Sequence, residues 1–155
     1  MSRAAILALC AVAGLAGTAR ADHKKLVVVV AKGSSVTSIS ASELKHCFLG
    51  DPTSVAGKTL VPFNTEARTP ERSGFDRGVL GMAPDEVGRF WVDRKVRGQS
   101  AAPRSLPSAA HMAKVAAKFP GAIGYLPEDQ LTSDVQPVAV DGISYPDPHY
   151  NIVAQ

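Results

Sequence analysis

The sequence predicts an α/β fold: a central, mostly parallel sheet with helices on its faces. Short runs of β-branched residues alternate along the chain with segments whose apolar residues recur at helical spacing. Those helical segments open and close on capping residues. The third sign is KKLVVVVAK, Lys24 to Lys32, an apolar run with no polar alternation. Such a run marks a strand buried on both faces.

The remaining elements follow in chain order. GSSVTSIS, from Gly33, reads as a polar loop. Ser40 and Glu43 fit a capping box, each satisfying a free backbone donor at a helix start. Leu44, Cys47 and Phe48 then share one helix face, and Gly50 and Pro52 end it. KTLVPF gives a second short strand, with Pro62 placing it at an edge or a strand end. Thr69, Pro70 and Glu71 form another helix start, a capping threonine followed by proline at the first helical position. That helix turns Phe75 and Val79 inward and stops at Gly81. Pro84 opens a third helix with Val87, Phe90 and Trp91 on one side. Gly98 to Pro107 reads as a linker. Ser108 caps a helix whose Met112, Val115, Ala116 and Phe119 face the core. In FPGAIGY, Pro120 and Gly121 stop that helix and Ala122 to Tyr125 return as a strand, with Gly124 where a backbone or ligand approaches closely. Val135 to Val140 is a last strand, and the segment beyond Asp141 reads as loosely ordered.

The first 21 residues stand apart. Arg3, an apolar run from Ala4 to about Ala16, and Ala19-Arg20-Ala21 match an export signal cleaved after Ala21. The run is too short for a permanent membrane span. Residues 22–155 are then expected to form a single domain in the periplasm. Arg3 and Arg20 are two of the 17 basic residues; without them 15 face 14 acidic ones, a net charge of +1. The basic pI therefore belongs largely to the signal, and no nucleic-acid footprint is expected. Cys47 is the only cysteine after the signal, so packing alone must hold the domain.

Chemistry-bearing residues are few. Arg68, Thr69, Arg72 and Ser73 surround a helix start, where backbone N–H groups and the helix dipole favour an anion. Arginine adds bidentate donors. The alternative is a capped surface helix with Arg72 paired to Glu71 or Asp76. Ser34 and Ser35, just after the first strand, form a second candidate, because ligands of open α/β sheets gather beyond the carboxyl ends of strands. His46 and Cys47 point about 100° apart on their helix and do not converge on a metal. No nucleophile elbow, P-loop or acid pair is present, so neither catalysis nor a cofactor is expected.

SELKHCFLG, FDRGVLG, RFW and FPGAIGY occur in that order from about Val27 to Leu126. Together they resemble the phosphate-type periplasmic solute-binding proteins of ABC transporters, which have the type 2 periplasmic-binding fold. The resemblance implies a non-enzymatic protein that captures a small inorganic oxyanion such as phosphate and delivers it to a transporter permease. Two features depart from the family. Its members have two lobes, and this chain has length for one. In NTEARTPERSGF, Asn64 stands about where the family carries an arginine, and the family's Ser-Gly-Thr is absent. A second expectation follows: a lobe that has kept the scaffold, lost the ligand, and meets another envelope protein or pairs two copies as a homodimer.

Overall fold

The computed structural model describes residues 23–154; the expected export signal lies outside them. In chain order the strands are β1 (Leu26–Ala31), β2 (Ser38–Ile39), β3 (Ser54–Val55), β4 (Lys58–Thr59), β5 (Val61–Thr65), β6 (Arg104–Leu106), β7 (Ala122–Pro127), β8 (Val135–Pro137) and β9 (Ala139–Val140). The helices are α1 (Ala41–Phe48), α2 (Pro70–Phe75), α3 (Pro84–Val96) and α4 (Ala109–Lys118). A π-helical turn, Asp76–Leu80, continues α2, and a 3₁₀ turn, Glu128–Gln130, follows β7.

The main sheet has the order β6-β5-β7-β1-β8. β5 runs parallel to both β6 and β7, while β1 is antiparallel to β7 and β8. All strands but β1 therefore point one way, which is the mostly parallel sheet expected. This arrangement also sets two ends. The carboxyl ends of β5 and β7 share one end of the sheet, and the carboxyl end of β1 lies at the other.

Both faces of the sheet are covered, as the β1 run requires. Leu26, Val28, Val30, Ile123 and Tyr125 meet Leu44, Phe48, Phe75 and Leu80 on one side. Val27, Val29, Ala122 and Leu126 meet Met112, Ala113 and Ala116 of α4 on the other. Burying a leucine- or phenylalanine-sized side chain contributes about 1.5–3 kcal/mol, so these two layers supply most of the stability. The Ser40 capping box forms as expected, with its hydroxyl accepting from Glu43 N at 3.1 Å and Glu43 Oε2 accepting from Ser40 N at 3.0 Å. Gly81 ends the π turn in the left-handed region, at φ 68°. In the FPGAIGY run, a side chain on Gly124 would strike Met112, and one on Gly121 would strike the Thr59 carbonyl. The close approach at Gly124 is thus α4 seating on the sheet.

Several expectations are corrected. The polar loop after β1 contains β2, and the stretch read as a linker contains β6, an edge strand pairing with Phe63 to Thr65. Pro62 sits near the start of β5, where it faces Ile123; pairing with β6 begins only at Phe63, so its missing donor is tolerated. The π turn inserts an extra residue per turn, which carries Leu80 rather than Val79 to full burial. Phe119 lies past the end of α4 and is 48% exposed. Val135 to Val140 splits at Val138, because β8 joins β1 while β9 pairs in parallel with β2.

The largest correction is the tail. Tyr150 and Ile152 are buried, and the Tyr150 hydroxyl accepts a hydrogen bond from Val28 N at 2.9 Å. The Ile152 carbonyl accepts from Leu26 N at 2.7 Å, and Ala154 N donates to the Lys24 carbonyl at 2.9 Å. The backbone at Val153 lies on Gly74, where a side chain would collide with it. Proline and polar residues masked a segment that is strapped to β1 and α2.

Candidate oxyanion site at the end of β5

The candidate site is built from the last residues of β5 outward. Asn64 and Thr65 are buried polar residues between β6 and β7, so their side chains need partners. Tyr125 of β7 provides them. Its ring stacks on Phe75 with centroids 4.0 Å apart, and its hydroxyl donates to Asn64 Oδ1 at 3.2 Å. The same hydroxyl accepts from Thr65 N at 3.3 Å and lies 3.2 Å from Thr65 Oγ1. Burial pushes the Tyr125 phenol up to about 12, so it stays neutral and protonated.

The relay continues into the turn. Thr65 Oγ1 lies 3.3 Å from Thr69 Oγ1, which donates to the Glu66 carbonyl at 3.0 Å and accepts from Arg72 N at 3.2 Å. Thr69 is therefore the helix cap that the sequence predicts. The turn brings Arg68 to a left-handed φ of 70°, a backbone state that non-glycine residues rarely adopt. Its side chain is exposed and makes no hydrogen bond or ion pair among the described residues.

Arg72 has a different fate. It is buried, with Nε donating to both carboxylate oxygens of Asp76 at 2.8 and 3.0 Å and Nη1 donating to the Thr65 carbonyl at 3.3 Å. Of the alternatives open in the sequence, pairing with Asp76 is the one formed. Burial pushes the Asp76 carboxyl above its usual range, and the charge and hydrogen bonds of Arg72 only partly offset that. Arg72 thus fixes the turn by holding its carbonyl. Ser73 is half-buried one residue further, its N–H bonded to the Thr69 carbonyl. A cavity of ≈ 150 Å³ lies beside the turn, lined by Arg68, Arg72, Asp76, Asp85 and Trp91 among others.

Ser34 and Ser35 do not join this site. They follow the carboxyl end of β1, at the opposite end of the sheet from Thr65. Ser34 Oγ accepts from Val36 N at 3.2 Å, and Ser35 Oγ donates to the Ala56 carbonyl at 3.4 Å. Gln136 pins the loop by accepting from Gly33 N and donating to the Ser34 carbonyl, both at 2.9 Å. The cavity there, ≈ 530 Å³, is lined by Lys32, Lys58 and Lys118 and by no carboxylate. Sequence reasoning missed these lysines because three separate segments bring them together.

Of the histidines, His46 and His149 pair with Asp51 and Asp147 on the surface, at 2.8 and 2.9 Å. Cys47 is buried, and desolvation raises its thiol to about 11.

No family model and no curated protein matches the chain. Solved structures do. The chain is similar to an ABC-type phosphate transport receptor from Vibrio cholerae, at 17% identity and a TM-score of 0.61, over 77% of this chain and 47% of the receptor. It is similar at 16% identity and 0.60 to a putative phosphate ABC transporter substrate-binding protein with bound phosphate from Clostridium perfringens, over 78% and 46%. PstS from Borrelia burgdorferi gives 13% identity and 0.59, over 86% and 55%. At these identities the likeness is one of fold, and it is the fold that the FPGAIGY resemblance implied. The chain spans about half the length of these receptors.

Proposed function

We propose, with this fold as the premise, that the protein is an exported binding module that holds a small oxyanion such as phosphate at the end of β5 and performs no chemistry on it. Arg68 carries the reading. Its guanidinium is the exposed, uncommitted cation of the turn, placed beyond the carboxyl end of a parallel strand, where α/β sheets open their ligand crevices. A planar fork of donors suits a tetrahedral anion. Thr69 orients the turn, Arg72 anchors it from within, and Ser73 adds a hydroxyl beside it. The receptors of similar fold include one with bound phosphate, which supports this ligand class. They are transport proteins, which supports the absence of catalysis and a transporter permease as the partner. The export signal expected over residues 1–21 supports a periplasmic location for residues 22–155 as one domain.

By itself this lobe cannot enclose a ligand, so desolvation stays incomplete and the affinity of these residues modest. Calorimetric titration with phosphate, then sulfate, at low salt tests the proposal. Saturable heat with a dissociation constant between about 1 μM and 1 mM is expected. A folded protein that gives no heat would overturn it.

One observation favours a second reading. Arg72 is buried and committed to Asp76 and the Thr65 carbonyl, which leaves Arg68 as the exposed arginine of the turn. On that reading the lobe keeps the scaffold without the ligand and serves as an interaction module in the envelope.

A further inference from the structure

Of the three large hydrophobic side chains that stand exposed among the described residues, two, Val92 at 64% and Val96 at 81%, lie on α3. With Gly88 they form one ridge of residues four apart, and nothing lies within 4 Å of the position a Gly88 side chain would take. The adjacent ridge is Asp85, Arg89, Asp93 and Arg97, all exposed, alternating in charge from acid to base. Arg97 bonds Asp93 at 3.0 Å; Asp85 and Arg89 have no ion pair among the described residues.

We infer that this outer face of α3 is a self-association surface, occupied by the same face of a second copy in antiparallel, two-fold arrangement. A two-fold axis between antiparallel helices sets each ridge against its own reversed copy. Centred at position 91, that reversal places Asp85 opposite the partner's Arg97 and Arg89 opposite the partner's Asp93, so every charge on the ridge meets its opposite. The same centre interleaves the apolar ridges. With a rise of about 1.5 Å per residue, each Gly88 lies between the levels of the partner's Val92 and Val96, about 3 Å from each along the axis. The missing side chain leaves room for both. Facing i±4 ridges are also the commonest mode of helix packing. One register therefore satisfies the charges and the valines together. The surface adjoins the cavity beside Arg68, which Asp85 and Gly88 also line, but association does not require that an anion is bound there.

Sedimentation equilibrium of the purified protein, over a range of concentrations and at two salt concentrations, tests it. The expected result is a weak monomer–dimer equilibrium that salt weakens, because the charged pairs are exposed. Arg89→Asp should raise the dissociation constant about tenfold, since two-fold symmetry turns two attractive pairs repulsive. Arg89→Asp with Asp93→Arg should restore association, because the reversed ladder is still complementary to itself. Gly88→Leu fills open space in the monomer, so the fold survives, and it should abolish the dimer. A wild-type protein that stays monomeric to about 1 mM overturns the proposal and leaves the face to a different partner. A dimer indifferent to Gly88→Leu and Arg89→Asp overturns it equally, because association then uses another face.

Discussion

The two ends of the main sheet handle their polar residues in opposite ways. At the β5 end, Asn64, Thr65, Thr69, Arg72 and Asp76 satisfy one another in a buried relay that runs through Tyr125, and the Arg68 side chain stands outside it. At the β1 end, backbone and Gln136 hold the Ser34 loop, and Lys32, Lys58 and Lys118 face solvent around a cavity without acid. Buried polar groups must find partners, whereas exposed ones need none. Charge density and a fixed hydrogen-bonded frame therefore point to opposite ends. The lysine end gathers exposed charge, and the β5 end carries an exposed arginine on backbone that the relay fixes.

The sharpest way to break this contrast is to disrupt the buried pair. Asp76→Ala leaves the Arg72 guanidinium uncompensated beneath the turn and should cost about 3–5 kcal/mol. Urea denaturation would read this as a large fall in midpoint. Alkaline pH should act next. Tyr125 and Tyr150 titrate at about 12, and Cys47 at about 11, all raised by burial. A phenol or thiol that is held protonated by the fold costs nothing below its unfolded pKa, near 9–10 here, and loses the fold stability as pH rises through that value toward 12. Each tyrosine contributes roughly 3 kcal/mol to the loss. A denaturation midpoint that is flat between pH 9 and 11.5 would show that these groups are hydrated in the folded protein. Gly74→Ala comes third. Its methyl would meet the Val153 backbone, and the tail must shift, at about 1–3 kcal/mol. Hydrogen exchange at Leu26 N and Ala154 N, both bonded within the strap, should quicken in that variant.

How much of this was legible beforehand follows the same divide between local and distant partners. The capping box at Ser40, the threonine cap at Thr69 and the buried β1 run depend on residues close in sequence, so their patterns could be read directly. The tail could not. Tyr150 finds Val28 N across most of the chain, and no local signal among its prolines and aspartates announces that bond. The site was legible by half. Arg72 and Asp76 are four apart on one helix face, which allowed their pairing but did not reveal how deeply it is buried. The left-handed φ of Arg68 and the lysine cluster at the far end depend on how the chain returns, and spacing says nothing of either.

The smallest expected effect on stability discriminates best between the two ends. Arg68→Ala removes an exposed side chain without partners, so stability should change by less than about 0.5 kcal/mol. The phosphate dissociation constant should nevertheless rise about tenfold or more, the worth of one charge-assisted bidentate contact. Replacing Lys32, Lys58 and Lys118 by glutamine removes three charges from the opposite end, and should shift that constant less than the single arginine does at 0.15 M salt, where distant exposed charges are screened. The reverse ranking, with the lysines dominating and Arg68 silent, would move the anion to the Ser34 end and leave the β5 relay a purely structural device. A tenfold loss from Arg68 alone, in a variant that unfolds like the parent, would tie binding to the one donor that the relay leaves free.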